Sequence, residues 1–166
     1  GLNFNSVVCN HKVCVDPTPT VPVTFTLTSD EFFDGNKEMY DIIFIDGLHW
    51  SEQVYKDITN SLNVLNDGGY IICHDMNPHS EFIQRYPQPK SGSAWTGDCW
   101  KAWVQLRMER DGLSMCVVDT DHGCGVIKKG KQNKIRVEGE LSWDLLDSNR
   151  KDLLNLISVE EFKSTL

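Results

Sequence analysis

Asp41-Ile-Ile-Phe-Ile45, followed by Asp46-Gly47-Leu48-His49, and then Asn66-Asp-Gly-Gly-Tyr-Ile-Ile-Cys-His74-Asp75, is the stretch on which the fold turns. Each half is an unbroken apolar run that stops at polar residues. A strand that is apolar on both faces belongs inside a parallel sheet covered by helices. Between the runs, Val54, Ile58, Leu62 and Leu65 recur at helical spacing, while Glu52, Lys56, Asp57 and Asn63 fall elsewhere. That pattern predicts one amphipathic helix. Ser51 is its expected cap, and Asn66–Gly69 its expected end, glycine being at ease in the left-handed conformation there. The unit is strand–helix–strand, and its crossover should be right-handed.

Working outward toward the amino terminus, Lys12-Val-Cys-Val-Asp16-Pro17 reads as a short buried strand halted by proline, which cannot donate to a ladder. Val23–Leu27 alternates and is β-branched, so it reads as another strand. Thr28 or Ser29 can cap a helical turn after it, and Leu2–Cys9 reads as a short helix. Toward the carboxyl terminus, Pro78–Ser93 is a polar loop of a length that often forms a lid. Thr96 or Asp98 can cap a helix through Trp100, Trp103, Val104, Arg107 and Met108, which ends at Asp111-Gly112. Trp100 and Trp103 read as core. Leu113–Asp119 and Gly125–Lys128 should form an antiparallel hairpin. The tail holds an amphipathic helix around Arg150–Ile157 and a last turn at Val159–Leu166. The pattern predicts an α/β fold with a Rossmann-like, mostly parallel sheet, helices on both faces and a carboxyl-terminal antiparallel hairpin. All 166 residues are expected to form one domain, with 130–166 as a helical extension.

A net charge of −8 argues against broad binding to nucleic acid or acidic membranes, which needs a basic face. No apolar run approaches the length of a membrane-spanning helix, and no signal peptide is expected from the residues before the fold. The six cysteines form no C-x-x-C pair, which argues against a zinc ribbon or a thioredoxin motif. Most sit in apolar runs, as free thiols of a reducing cytoplasm would. A Cys116–Cys124 bridge across the hairpin is the alternative.

In open α/β sheets ligands bind outside the carboxyl ends of the strands. Three strand ends here are polar: Asp16, Asp46 and His74-Asp75. Strands this apolar need no acid at their tips for packing. Such acids can accept hydrogen bonds from ribose hydroxyls or hold a hard cation. They can equally cap helices or stop strands.

Phe44-Ile-Asp-Gly-Leu-His49 and Gly68-Gly-Tyr-Ile-Ile-Cys-His-Asp75 together resemble the fourth and fifth strands of class I S-adenosylmethionine (SAM) dependent methyltransferases. The likeness is greatest to small-molecule and sugar O-methyltransferases, and it spans roughly Gly1 to Lys128. The resemblance implies SAM as cofactor, with Asp16 on its ribose, Ser29 and Asp30 near its adenine, and Asp46 and Gly47 at the fourth strand end. It also implies a divalent cation, Mg²⁺ or Mn²⁺, held by Asp46, His74 and Asp75. Met76 stands where catechol-type relatives carry asparagine. The family begins with a strand and a glycine-rich E-x-G-x-x-x-G turn, and this sequence starts too late for both. Gly1 would fall at the last glycine of that turn, so the fold is expected to be amino-terminally truncated. A homo-oligomer that lends a strand is one way to close the sheet.

On this basis the chain is expected to methylate a hydroxyl of a small or sugar substrate. His49 is the general-base candidate, because histidine titrates near neutrality, and Asp46 is its catalytic neighbour. His49 could instead simply bond a loop carbonyl. Trp50, Trp95 and the Ser93–Asp98 segment should line a substrate lid. The alternative is a methyltransferase-fold module that has lost SAM binding. A Rossmann dehydrogenase is opposed by the absence of G-x-G-x-x-G, and a serine hydrolase by the absence of G-x-S-x-G.

Overall fold

A computed structural model describes residues 2–90, 92 and 94–165. The chain divides into two compact units, Gly1–Glu38 and Met39–Leu166.

The first unit holds helix α1 (Leu2–Ser6) and helix α2 (Ser29–Gly35). Lys12 Nζ donates to the Phe4 and Val7 carbonyls, 2.9 Å each, and so satisfies oxygens at the end of α1. The two expected strands shrink to a single parallel bridge, Val15 with Phe25. The prolines at 17, 19 and 22 remove donors on both sides of that contact, so the ladder stops after one rung. Thr28 caps α2 in a full capping box. Its hydroxyl accepts from Glu31 N, and the Glu31 carboxylate accepts from Thr28 N at 2.8 Å. The Thr28 amide and the Thr28 hydroxyl both donate to the exposed Glu31 carboxylate, 2.8 Å each, and hold that carboxyl below its ordinary range.

The second unit contains one five-stranded sheet. Its strands are β1 (Tyr40–Ile45), β2 (Leu65–Cys73), β3 (Leu113–Val118), β4 (Cys124–Lys129) and β5 (Leu156–Ile157). Their order is β1-β2-β4-β3-β5. β1 runs parallel to β2, and β5 parallel to β3, while β4 is antiparallel to both its neighbours. Four strands therefore share one direction and β4 alone opposes them, as expected of a mostly parallel sheet with a terminal hairpin. The β1–β2 register jumps after Tyr40↔Leu65 and resumes at Ile42↔Tyr70. The jump takes up Asn66–Gly69 as a bulge within β2, where Gly68 has φ +80°; α3 itself has already ended at Asn63, ahead of the end expected at Asn66–Gly69.

Helices α3 (Ser51–Asn63), α4 (Cys99–Glu109) and α5 (Trp143–Leu154) complete the core, and α6 (Val159–Lys163) ends the chain. Val54 and Ile58 of α3, Trp100, Trp103 and Leu106 of α4, and Leu146 and Leu154 of α5 join Ile45, Ile71, Met115 and Ile127 in one buried cluster. The opposite side of β1 is open, with Ile42 and Phe44 exposed. The tail helix starts earlier than its periodicity suggests, because Ser142 caps it by accepting from Leu145 N. It ends at Asn155, whose left-handed backbone turns the chain into the short strand β5. Arg107 reaches from α4 to the last turn of α5 and donates to the Asp152 and Leu153 carbonyls. That satisfies carbonyls the helix itself leaves open.

All six cysteines are free. Cys116 faces Val126 across the hairpin and Cys124 faces Val118, so their register keeps the two apart. Burial pushes the Cys73 and Cys99 thiols well above the ordinary value. Among the described residues, no helix is long and apolar enough to cross a membrane.

Candidate functional site

Two parallel neighbours, β1 and β2, end side by side, and the pairing runs one residue further through His74 N, which donates to Ile45 O at 3.0 Å. The next residues on each strand are therefore placed together. Asp46 follows β1, and His74 and Asp75 follow β2. Asp75 has φ +64°, a left-handed conformation unusual for a non-glycine residue. That turn directs its nearly buried carboxylate, 6% exposed, back among the others. His49 completes the group from the loop before α3.

The contacts alternate acid and base. His49 Nε2 lies 3.2 Å from Asp75 Oδ2 and 3.5 Å from Asp46 Oδ1. His74 Nδ1 lies 3.2 Å from the same Asp75 oxygen and 3.6 Å from the same Asp46 oxygen. The far nitrogens are also occupied. His49 Nδ1 is 3.0 Å from the Trp95 carbonyl, and His74 Nε2 is 3.2 Å from Asp121 Oδ2. A carbonyl only accepts, so His49 Nδ1 carries hydrogen, and its neutral form presents the Nε2 lone pair to the cluster.

The electrostatics follow from these partners. The Asp75 hydrogen bond, opposed by burial and reinforced by the charges of Asp75 and Asp46 and by Asp121, raises His74 to about 9. Burial pulls His49 down, but its hydrogen bond to Asp46, the Asp75 charge and the Trp95 carbonyl outweigh it and leave the net shift upward. The His49 hydrogen bond is the main reason the Asp46 carboxyl titrates below its ordinary range.

Asp46, His74 and Asp75 each offer a ligand atom, and these lie within 4.8 Å of one another. Two carboxylate oxygens and one imidazole nitrogen suit a borderline cation such as Mn²⁺ better than Mg²⁺, which favours oxygen alone. A cation entering the group would displace the proton from His74 Nδ1.

An aromatic wall stands beside His49. The Trp95 ring lies 4.8 Å from the imidazole, and Tyr86 stacks between Trp95 at 6.3 Å and Trp50 at 5.7 Å. The segment after Asn77 makes this wall without helix or strand. The Ile83 carbonyl accepts from Thr96 N at 2.9 Å, and the Trp95 indole donates to Arg85 O at 2.7 Å. Gly97 lets the wall reach His49: at φ +58°, a Cβ there would meet the His49 carbonyl at 1.8 Å. Ser93, at the start of the expected lid segment, lies outside the described residues, as does Gly1.

The expected cap of α3 is corrected. Ser51 is the first helical residue, and Trp50 at the cap position supplies no side-chain bond. The Asp98 carboxylate does so from across the site, accepting from Ser51 N at 2.7 Å and from Ser51 Oγ at 3.1 Å. Asp98 also occupies the cap position of α4, but its side chain does not cap that helix. One carboxylate thus ties the His49 loop to the aromatic wall.

Of the residues expected to serve a ligand, Asp46, His49, His74 and Asp75 are brought together. Gly47 is exposed beside Asp46, with open space around its α-carbon. Asp16, Ser29 and Asp30 belong to the first unit. Asp16 Oδ1 there accepts from Thr18 N at 2.8 Å, Ser29 opens α2, and Asp30 is exposed in its first turn. Sequence patterns gave no sign of Tyr86 or Asp121, and they marked Asp98 as a cap of α4 and part of a lid, not as the carboxylate that holds Ser51; all three lie outside the two apolar runs.

Residues 10–76 match a family model described as a methyltransferase domain. The matched segment contains Asp16, Asp46, His49, His74 and Asp75. No curated protein matches the chain.

Proposed function

We propose that the chain, whose residues 10–76 match the methyltransferase-domain family model, is a class I SAM-dependent methyltransferase that methylates a hydroxyl group of a small substrate bearing a flat or sugar ring. The observation that carries this reading is the meeting of Asp46, His49, His74 and Asp75 where two adjacent parallel strands end. SAM, the usual methyl donor of the family, supplies an electrophilic methyl group whose bonding pair stays with sulfur on transfer.

The protein's own residues then have distinct tasks. On the first unit, Asp16 is assigned to the ribose hydroxyls and Ser29 and Asp30 to the adenine; on the second, Asp46 and Gly47, just after β1, are assigned to the cofactor. His49 Nε2 takes the proton from the substrate hydroxyl as the new bond to carbon forms, with Asp46 and Asp75 stabilising the imidazolium. Asp46, His74 and Asp75 would hold a divalent cation, which would supply positive charge beside the substrate oxygen. Trp50, Tyr86 and Trp95 offer ring faces against which the substrate is oriented, and orientation is the larger share of catalysis in a direct displacement. Six unpaired cysteines suit a reducing cytoplasm.

Calorimetric titration of the intact chain with SAM tests the reading. Saturable binding that weakens in Asp16→Ala supports it. No heat up to millimolar SAM would overturn it, leaving a methyltransferase-fold module without cofactor binding.

A further inference from the structure

The segment that follows Asp75 is clamped to the turn of the β3–β4 hairpin and to α5, and a buried side chain makes the clamp. Asn77 is 3% exposed. Its backbone amide donates to the His122 carbonyl in the turn at 2.7 Å, and its Nδ2 donates to Asp119 Oδ1, just after β3, at 2.9 Å. Its Oδ1 accepts from Arg150 of α5 at 2.6 Å. A carboxylate only accepts and a guanidinium only donates, so these partners fix which end of the amide faces which. Arg150 is itself anchored. It donates to the Pro78 carbonyl at 2.7 Å and to Asp147 Oδ1 at 3.1 Å, and it lies 5.4 Å from the centre of the Trp143 ring. Met76 N adds a bond to the Gly123 carbonyl at 3.0 Å. Gly123 lets the turn close on Asn77, since a Cβ there would meet Asn77 Cβ at 2.4 Å.

We propose that Asn77 is a positioning residue for Asp75: by tying the chain to the hairpin turn and to α5, it holds the left-handed backbone that turns the Asp75 carboxylate toward His49 and His74. The reason is conformational. Asp75 has φ +64°, and a non-glycine residue keeps such a backbone where surrounding contacts over-determine it. The contacts that begin at Met76 N and run through Asn77 to Arg150 supply that constraint within two residues of Asp75. The Asp75 carboxylate lies 3.2 Å from one nitrogen of each histidine, and a relaxed backbone would swing it away from both. Without the Asn77 side chain, Arg150 and Asp119 each lose a partner, and the segment after Asp75 is left to its main-chain bonds and the Arg150 bond to Pro78. The bland explanation is a buried amide that stabilises the hairpin and nothing more. That explanation predicts a less stable protein whose histidines keep their surroundings.

The placement of Asp75 stands on this geometry alone, and its use toward a cation rests on the function proposed above. Nitrogen-15 shifts of the His49 and His74 imidazoles, in the histidine-labelled intact chain at one fixed pH, read whether the carboxylate is in place. Asp75→Asn, which suits the left-handed backbone, gives the signature of its absence. Asn77→Ala should move both imidazoles in the same direction. It should add nothing further in the Asp75→Asn background, because changes that act through one contact are not additive. His49 is the telling signal, since it comes from the loop before α3 and meets Asp75 directly. The exchange Asn77→Asp with Asp119→Asn keeps an acceptor for Arg150, reverses the donor in the second bond and should restore the intact shifts. Should Asn77→Ala fold poorly, Asp119→Ala, which removes a single bond to an exposed residue, should give a smaller displacement of the same sense. In parallel, Mn²⁺ titration by calorimetry should show affinity about 10–100-fold weaker in Asn77→Ala than in the intact chain. The positioning role is refuted if Asn77→Ala melts earlier yet leaves both imidazoles at their intact shifts, or if it moves them equally with and without Asp75→Asn. Displaced shifts in a chain that takes up no Mn²⁺ would leave the positioning role standing and refute the cation site instead. Displaced shifts with unchanged Mn²⁺ affinity would show that Asn77 does not prepare Asp75 for a cation.

Discussion

His49 is caught between two demands that its two nitrogens separate. Nδ1 is bound to the Trp95 carbonyl, so the ring cannot rotate freely, and Nε2 is left toward Asp46 and Asp75. A base fixed in this way should matter to turnover and little to cofactor affinity. His49→Ala is expected to lower kcat about 10²–10⁴-fold, the usual share of a positioned general base. Steady-state kinetics with labelled SAM, beside calorimetric SAM affinity, would separate the two effects, and unchanged turnover would remove His49 from the mechanism. At this scale the sequence was informative for a simple reason. Asp46, His74 and Asp75 end apolar runs, where packing does not call for them, and His49 follows three residues after Asp46. Asp121 and Tyr86 carry no such mark. Asp121 is one acid in a polar turn and Tyr86 one aromatic in a polar loop, and only the packed structure brings them beside His74 and Trp95.

The elements were legible where a period or a box is local. The α3 face of Val54 and Ile58, the Thr28 capping box and the alternating hairpin all follow from residues a few positions apart. What ends or caps an element from a distance was not legible. Asp98 is 47 residues from the Ser51 amide it accepts from, and no spacing rule joins the two. The strands around Val15 and Phe25 failed for a related reason: β propensity was sound locally, but the flanking prolines left too few donors to extend the pairing. The Asp98 carboxylate is largely buried at 14% exposure, and it accepts from both the amide and the hydroxyl of Ser51. Asp98→Ala should therefore cost about 1–2 kcal/mol, toward the upper end for a lost cap. Ser51→Ala should cost less, because the amide contact survives. Urea denaturation of the three proteins would check the order, and a loss in Ser51→Ala equal to that in Asp98→Ala would show that the hydroxyl, rather than the amide, carries the contact.

For the whole molecule, the distribution of buried residues is the informative quantity. Every member of the hydrophobic core lies between Ile45 and Leu154, within the second unit. The described residues of the first unit include none that is buried. Burial of apolar surface is the dominant favourable term in folding, so the capacity to fold cooperatively should reside in residues 39–166. The sequence did not disclose this division, because Val13, Cys14 and Val15 look as apolar locally as the runs that do enter the core. The division also separates the proposed tasks: Asp16, Ser29 and Asp30 sit on one unit, and Asp46, His49, His74 and Asp75 on the other. A fragment spanning 39–166 should therefore unfold in one transition, with a midpoint within about 4 °C of the intact chain, the shift expected from roughly 1 kcal/mol in a domain of this size. It should keep the near-ultraviolet dichroism of the buried Trp100 and Trp103 and should bind Mn²⁺, but it should lose SAM binding. Thermal dichroism and the two titrations decide the matter. A fragment that melts without a cooperative transition would show that the first 38 residues are needed for the fold itself, and a fragment that still binds SAM would relieve Asp16 of its proposed role.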